Sequence, residues 1–192
     1  MTGMLAGWRA GLLGLLFLSL GPAYLATGAQ LPQVAQEYDL KAAFLFNLVK
    51  FVRWPAPKFQ GEASPLLIGV RGEDARDRFE RLLRNKLIDK RQVIVQPLER
   101  LEQVKACHVL FISRAENNGA AEWIEAGKAG AVLTVGETQE FLDQGGMIQF
   151  SIEAEQLRLE INEQCARQAG LNIMANALST LVNKGIAKVR NF

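Results

Sequence analysis

The chain contains a single histidine, His108, among its 192 residues, and this scarcity excludes most routes to catalysis. A serine or cysteine nucleophile needs a neighbouring general base, which is most often histidine. Zinc sites usually use two or more His or Cys ligands at short spacing. There is no HExxH motif and no carboxylate cluster of the calcium-binding kind. His108 itself lies within the apolar run HVLFI, where a histidine packed in the core is the commoner situation. The sequence therefore predicts no enzyme, no metal site and no cofactor.

The sequence also lacks an excess of charge of either sign. It has 22 Lys and Arg residues against 20 Asp and Glu residues, which gives a net charge of +2. Because nucleic-acid-binding domains normally carry a strongly basic face, nucleic acid is not an expected partner. With 49% hydrophobic and 22% charged residues the composition is that of an ordinary globular protein. The length fits one folded domain.

Glycine-rich phosphate loops are absent as well. The segment Gly69–Gly72 (GVRG) matches neither GxxxxGK[ST] nor GxGxxG. Its glycines are typical of a tight turn after a strand, and open α/β sheets bind ligands at the carboxyl ends of their strands. Arg71 is therefore a candidate ligand for an anion. The alternative is an arginine that is simply solvated in a turn.

Long apolar runs are rare, and the clearest one stands near the amino terminus. The segment Ala10–Leu20 follows Arg9, and small residues cluster before Gln30. This order of basic, apolar and small residues is typical of a secretory signal peptide. The run is about half the length of roughly 20 residues that a membrane span requires, and a retained anchor is the weaker alternative. We expect residues 1–29 to be a cleaved signal peptide that delivers the protein to the periplasm, 30–36 a linker, and 37–192 a single domain.

Only two cysteines occur, Cys107 and Cys165. Neither belongs to a CxxC motif, so zinc binding and thioredoxin-like exchange are not predicted. Because an exported protein can keep a disulfide, the two cysteines are candidates for pairing with each other. The alternative is that both are buried thiols that pack as small hydrophobic side chains.

Short apolar strands alternate with amphipathic helices along the middle of the chain. A period of two then predicts an antiparallel hairpin at the edge of the sheet, over residues 147–161, and a last helix follows over 172–184. We therefore expect an α/β fold, a Rossmann-like or flavodoxin-like sandwich with a largely parallel sheet and helices on both faces. The predicted parallel strands are 66–70 (LLIGV), 93–95 (VIV), 108–112 (HVLFI) and 131–135 (AVLTV).

The segment Tyr38–Trp54 predicts a long helix that ends before Pro55. Its apolar face is wider than the roughly 100° that a surface helix buries, so we expect it to contact both the sheet and a second partner. Aromatic side chains beside arginine are enriched at protein interfaces. In the hairpin, the alternation of residues places polar side chains together on the side away from the apolar ones. The predicted dimer or partner contacts are Phe51, Arg53, Trp54, Arg158, Glu160 and Asn162.

Six segments in order resemble the YfiR-like family of periplasmic regulators. The resemblance extends from about Glu37 to Val182. It implies a Rossmann-like or flavodoxin-like domain that forms a homodimer. It also implies repression of an inner-membrane diguanylate cyclase through its periplasmic domain, relief by an outer-membrane lipoprotein, and control of cyclic di-GMP and biofilm formation. The segments are EYDLKAAFLFNLVKFVRWP, LLIGVRGED, CHVLFIS, VLTVGE followed by Phe141, GGMIQF and RLEINEQCARQAGLNI.

The chain departs from this family at one cysteine. Many members carry a cysteine in the first strand as well as one like Cys107, whereas that strand reads LLIGV here. Either Cys165 takes the place of the missing mate, or the redox sensitivity of the family is absent from this chain. The rival to the repressor hypothesis is a small-molecule sensor or carrier that binds an anion near Arg71.

Overall fold

Residues 33–190 are described by the structure, a computed structural model of the chain. The predicted signal peptide, residues 1–29, lies outside the described residues. The first helix begins at Gln33, inside the segment that the sequence predicts as a linker. In chain order the elements are α1 (Gln33–Val49), β1 (Val52–Arg53), β2 (Leu66–Arg71), α2 (Glu73–Leu83), β3 (Leu87–Ile88), β4 (Arg91–Pro97), β5 (Val109–Ile112), α3 (Ala120–Ala129), β6 (Leu133–Gly136), α4 (Glu140–Asp143), β7 (Ile148–Glu153), β8 (Gln156–Asn162), α5 (Glu163–Gln168), β9 (Asn172–Ile173), α6 (Ala175–Asn183) and β10 (Ala187–Arg190).

The main sheet has eight strands in the described part of the chain, in the order β10-β8-β7-β6-β5-β2-β4-β3. Strands β4, β2, β5, β6 and β7 are mutually parallel, as the alternation of strands and helices predicts. After β2 the chain goes to β4 on one side, and it then returns to β5 on the other side. The carboxyl ends of β2 and β5 therefore meet at the point where the strand order reverses, which is the usual ligand crevice of such sheets.

Helices cover both faces of the sheet, which confirms the predicted sandwich. The larger core lies under α1, α2 and α6, and its central side chains include Leu45, Phe79 and Phe111. The smaller core lies under α3 and α4 and includes Ile124 and Phe141. Successive strand residues face opposite sides, and in β5 both sides are apolar: Val109 and Phe111 enter the larger core, whereas Leu110 and Ile112 enter the smaller one. This double burial explains why β5 reads as a continuous apolar run.

Three predicted boundaries are wrong, and in each case pairing between distant segments decides the outcome. The predicted helix Tyr38–Trp54 ends at Val49, because Val52 and Arg53 pair with Ile173 and Asn172 in a separate two-stranded sheet. The same pairing delays the start of the last helix to Ala175.

The third correction concerns the edge of the main sheet. The predicted hairpin forms, since β7 and β8 are antiparallel. It is not the edge, however, because β10 pairs with β8 in parallel and becomes the outermost strand. The four residues of β10 follow a helix stop at Gly185 and carry a weak apolar signal, so the sequence pattern gave no strand there.

No helix within residues 33–190 combines the length and the apolar character needed to cross a membrane.

Candidate functional site

An apolar groove lies between α1 and α6 and is floored by β8. Three side chains at helical spacing, Phe44, Leu48 and Phe51, form one wall. Leu159 of β8 lies at the bottom. The groove has a volume of about 260 Å³, and Phe51 at its mouth is 38% exposed. We call it the α1–α6 groove; its remaining lining residues are Asn47, Asn176, Ala177, Thr180 and Leu181.

Arg53 and Trp54 do not share this groove with Phe51. They line a second pocket beside Phe59 and Arg91 at the amino end of the sheet. The Trp54 indole N–H donates to the carbonyl oxygen of His108 at 3.0 Å, and its side chain is half-buried. Arg53 is exposed, and its guanidinium donates to the main-chain carbonyl oxygen of Lys50, just after α1. The structure therefore divides the predicted aromatic contact between two neighbouring surfaces.

Arg158 and Glu160 lie on the opposite side of β8 from Leu159 and so face away from the α1–α6 groove. Arg158 donates to the carbonyl oxygen of Gly185 at 2.5 Å. Glu160 forms an ion pair with Arg190 at 3.1 Å. Both side chains thus attach β10 and the turn before it to β8, so their role in the structure is to hold the outermost strand in place. The structure does not bring them together with Phe51.

Asn162 is wrong as a surface contact. Its side chain is 98% buried, and its Oδ1 accepts the main-chain N–H of Cys165 at 2.9 Å. It is the N-cap of α5. A capping Asn satisfies a helix N–H that would otherwise lack a partner, and this accounts for the buried position of Asn162 at the end of β8.

Arg71 lies at the carboxyl end of β2, where the strand order reverses, as expected. Its guanidinium donates to a Glu116 carboxylate oxygen at 2.6 Å and stacks over the Trp123 ring at 4.1 Å. The crevice around it is also lined by Glu73 and Glu99. A second arginine, Arg76, also lines the crevice and is paired with Glu73 and Asp77. Because both arginines are already matched by carboxylates and Glu99 adds a further negative charge, the crevice is a poor site for an anion.

The two cysteines are free, and the predicted pairing between them is wrong. Cys107 is completely buried in the smaller core, whereas Cys165 packs against the larger core on the other face of the sheet. Burial raises the pKa of the Cys107 thiol. Its sulfur accepts the side-chain amide N–H of Gln96 at 3.3 Å. The buried-thiol alternative therefore describes Cys107.

A buried ion pair between Lys41 and Glu137 was not predicted from the sequence. Lys41 Nζ binds one Glu137 oxygen, and the main-chain N–H of Arg114 donates to the other at 2.6 Å. The two side chains are 98% and 99% buried. The Tyr38 hydroxyl also reaches Glu137, and burial raises its pKa. The pair joins α1 to the carboxyl ends of β5 and β6. The available signal was a lysine in the middle of an apolar helix, together with a glutamate directly after a buried strand.

His108 stands at the opposite, amino end of the sheet. Its ring is buried, stacked on Phe59 at 4.3 Å between centroids, and Nδ1 accepts the main-chain N–H of Leu67 at 3.0 Å. Burial, followed by the positive charges of Lys58 and Arg91, lowers the pKa of His108 to about 4. The imidazole is thus held in its neutral form between the Phe59 ring and the main chain of Leu67.

No group of three or more His, Cys, Asp or Glu side chains among residues 33–190 is placed to hold a metal ion.

The comparisons with known proteins concern the fold and the family. No curated protein matches the chain. A crystal structure of a conserved domain protein from Vibrio cholerae O1 biovar El Tor is 13% identical, covers 84% of this chain and 61% of its own, and superposes with a TM-score of 0.51. The ABC domain in complex with L-Trp from Streptococcus pneumoniae is 10% identical, covers 76% of this chain and 58% of its own, and has a TM-score of 0.47. The chain thus spans about three fifths of the length of these structures. The first likeness supports the α/β fold and nothing further.

The family match is more informative. The sequence model of the YfiR/HmsC-like family covers residues 38–180, from α1 into α6, and so includes every lining residue of the α1–α6 groove except Leu181. Because this match takes in most of the chain, the protein belongs to the YfiR/HmsC-like family.

Proposed function

We propose that this protein represses an inner-membrane diguanylate cyclase by binding the periplasmic domain of that enzyme, and that it lowers cyclic di-GMP and limits biofilm formation in this way. The α1–α6 groove is the observation that carries the proposal. It places an exposed aromatic side chain, Phe51, at the mouth of an apolar cleft in a member of a regulator family.

The groove has the chemical character of a protein-binding surface. Protein interfaces concentrate their binding energy in a few aromatic anchors that are surrounded by polar side chains. Phe51 and Phe44 provide the aromatic surface, while Asn47, Asn176 and Thr180 supply hydrogen-bonding groups around it. Arg53 and Trp54 extend this surface toward the amino end of the sheet. The proposed contact is therefore Phe51 with its groove, flanked by Arg53 and Trp54.

Repression requires a difference in affinity between two states of the cyclase. A ligand that binds the active and inactive conformations equally tightly does not change the equilibrium between them. To hold an evenly balanced cyclase at about 1% activity, the protein must bind the inactive state roughly 100-fold more tightly. In this proposal the signal peptide, residues 1–29, delivers the repressor to the periplasm, where an outer-membrane lipoprotein competes for it. The proposed repressor is a homodimer.

The test replaces Phe51 in its own host and measures cyclic di-GMP. Phe51→Glu places a charge in the apolar groove, so we expect cyclic di-GMP to rise to the level of a deletion strain. Leu87→Glu is the matched control, because Leu87 is also an exposed apolar side chain, at 60%, but lies on β3 at the far edge of the sheet. Equal cyclic di-GMP in the wild type, the deletion and both variants would contradict the proposal.

A further inference from the structure

His108 is the common contact of the segment that follows β1. This segment, which we call the Trp54–Phe59 segment, packs over the amino end of β5. The Phe59 ring stacks on the imidazole with 21° between the planes, and the edge of Trp54 meets it at 6.0 Å. Trp54 also donates its indole N–H to the His108 carbonyl oxygen. His108 thus contacts both aromatic side chains of the segment. The segment is also held by Lys58, whose ammonium donates to the carbonyl oxygens of Lys105 and Gly130, and by Arg91, which stacks on the Phe59 ring.

The hydrogen bonding of the ring permits only its neutral form. Nδ1 accepts the main-chain N–H of Leu67, so the single ring proton resides on Nε2. A second proton must be added at Nδ1, where it would point at the Leu67 N–H. Protonation therefore removes one hydrogen bond and sets two donors against each other in a buried place.

The charges around the ring act in the same direction. Lys58, from the turn within the Trp54–Phe59 segment, and Arg91, from β4, are both cations and disfavour a third positive charge. The neighbouring Cys107 thiol is buried, which raises its pKa and keeps it neutral. Only the Lys58 main chain favours the protonated ring, and its influence is the smallest. No carboxylate among the described residues acts on this imidazole to offset the added charge.

We propose that His108 is an acid-sensitive latch: a proton on its ring releases the Trp54–Phe59 segment from the amino end of the sheet. Within the function proposed above, on which this consequence rests, release disorders the surface formed by Arg53 and Trp54 beside Phe51. The repressor then loses its partner when the surrounding medium becomes acidic.

The latch is tested by hydrogen exchange of the purified protein, measured by mass spectrometry on peptides covering residues 52–59 at pH 7.5 and pH 5.0. The exchange rates are first corrected for the intrinsic pH dependence of exchange. If the His108 ring is neutral when the segment is packed and can be protonated once it is released, the opening equilibrium constant should be roughly 10- to 30-fold larger at pH 5.0 than at pH 7.5. Strand β8, which pairs with β7 and β10 on the far side of the sheet, should show no such change. Equal protection of residues 52–59 at both pH values would overturn the latch.

His108→Asn is the informative variant, since the Asn Oδ1 can accept the Leu67 N–H in place of Nδ1 but does not titrate. We expect its exchange over residues 52–59 to be independent of pH. Glu137→Gln is the matched control, because it removes a buried titratable group at the opposite end of the sheet; its exchange over residues 52–59 should keep the wild-type pH dependence. If His108→Asn opens in acid as the wild type does, the latch is refuted.

The wild-type protein alone supplies a second measurement, in case the variant does not fold. His108 is the only histidine in the chain, so the ring resonances of a tag-free sample report on it without ambiguity. The resonances should titrate at the pH at which residues 52–59 open, and titration at a different pH would refute the coupling.

Binding to the periplasmic domain of the cyclase separates the latch from the proposed function. If acid opens the segment but no binding occurs even at pH 7.5, the latch stands and the repressor proposal fails. If binding occurs at pH 7.5 and is equally tight at pH 5.0, the regulatory consequence of the latch is overturned. The expected result is binding at pH 7.5 that weakens at least tenfold at pH 5.0 in the wild type and not in His108→Asn.

Discussion

Replacing Gly69 by cysteine should create the disulfide that this chain lacks. Gly69 lies on β2, the strand in which the family resemblance implies a cysteine. A Cβ atom built on Gly69 would stand 2.8 Å from the sulfur of Cys107. In a disulfide the corresponding Cβ-to-sulfur separation is about 3 Å, given an S–S bond of about 2.05 Å. The geometry therefore places residue 69, and not Cys165, opposite Cys107.

The expected stabilisation is the balance of two effects. Closing a loop of about 40 residues in the unfolded chain stabilises the native state by roughly 4 kcal/mol. Against this, the new Cβ meets the Leu98 side chain at 2.3 Å, so Leu98 must move. Overpacking of this kind costs about 1–3 kcal/mol. The oxidised variant should therefore be more stable than the wild type by about 1–3 kcal/mol, which raises Tm by roughly 2–12 °C for a domain of this size.

The assay is thermal unfolding followed by circular dichroism, with and without reductant, together with a count of free thiols. Gly69→Ala is the matched control, since it adds the same Cβ without a sulfur; it should be less stable than the wild type and insensitive to reductant. Reduced Gly69→Cys should behave like Gly69→Ala. The wild type should show no change on reduction, because both of its cysteines are free. An oxidised Gly69→Cys protein that retains a reactive Cys107, or that crosslinks to Cys165 instead, would refute the argument.

Three further outcomes follow from the structure. Lys41→Met should destabilise the fold by about 3–5 kcal/mol, because it leaves the buried Glu137 carboxylate without its cation. Urea unfolding at neutral pH measures this loss. The double variant Lys41→Met with Glu137→Leu should recover most of it. The pKa of His108 is lowered to about 4 in the folded protein, against 6.5 in the unfolded chain, so the neutral ring contributes fully to the free energy of unfolding above pH 6.5 and this contribution is lost as the pH falls toward 4. The loss reaches about 3 kcal/mol. The free energy of unfolding of His108→Asn should therefore depend less steeply on pH over that interval. Asn162→Ala should cost about 1 kcal/mol through loss of the α5 cap while repression in the host remains at the wild-type level; derepression without loss of stability would return Asn162 to the contact surface.

The parallel part of the fold was predictable because its signal is local. A strand buried on both faces, such as 108–112, must be apolar at nearly every position, and the helices between such strands show the 3.6-residue period. The hairpin β7–β8 was equally visible, since its period of two is strict from Leu157 to Ile161. Within these elements the family resemblance and the structure agree.

The candidate site was predictable only in part. Phe51 stands out in the sequence as an aromatic residue at the end of an apolar helix, and the structure leaves it exposed in the α1–α6 groove. Its neighbours in that groove, Leu159 and Leu181, come from distant segments that no local pattern connects. From the sequence, Asn162 looks the same whether its side chain makes a surface contact or caps a helix. Only the structure, in which α5 starts directly after it, shows that the side chain is an N-cap.

The sequence alone determined the α/β class and the positions of the parallel strands along the chain, because periodicity is a property of the chain itself. Tertiary structure decided what depends on pairing between segments far apart: the end of α1 at β1–β9, the covering of β8 by β10, and the separation of Cys107 from Cys165 by the sheet. Tertiary structure also decided the role of individual charged residues. Lys41 and Glu137 lie 96 positions apart, and neither can be buried without the other, so their role exists only once the fold has brought them together.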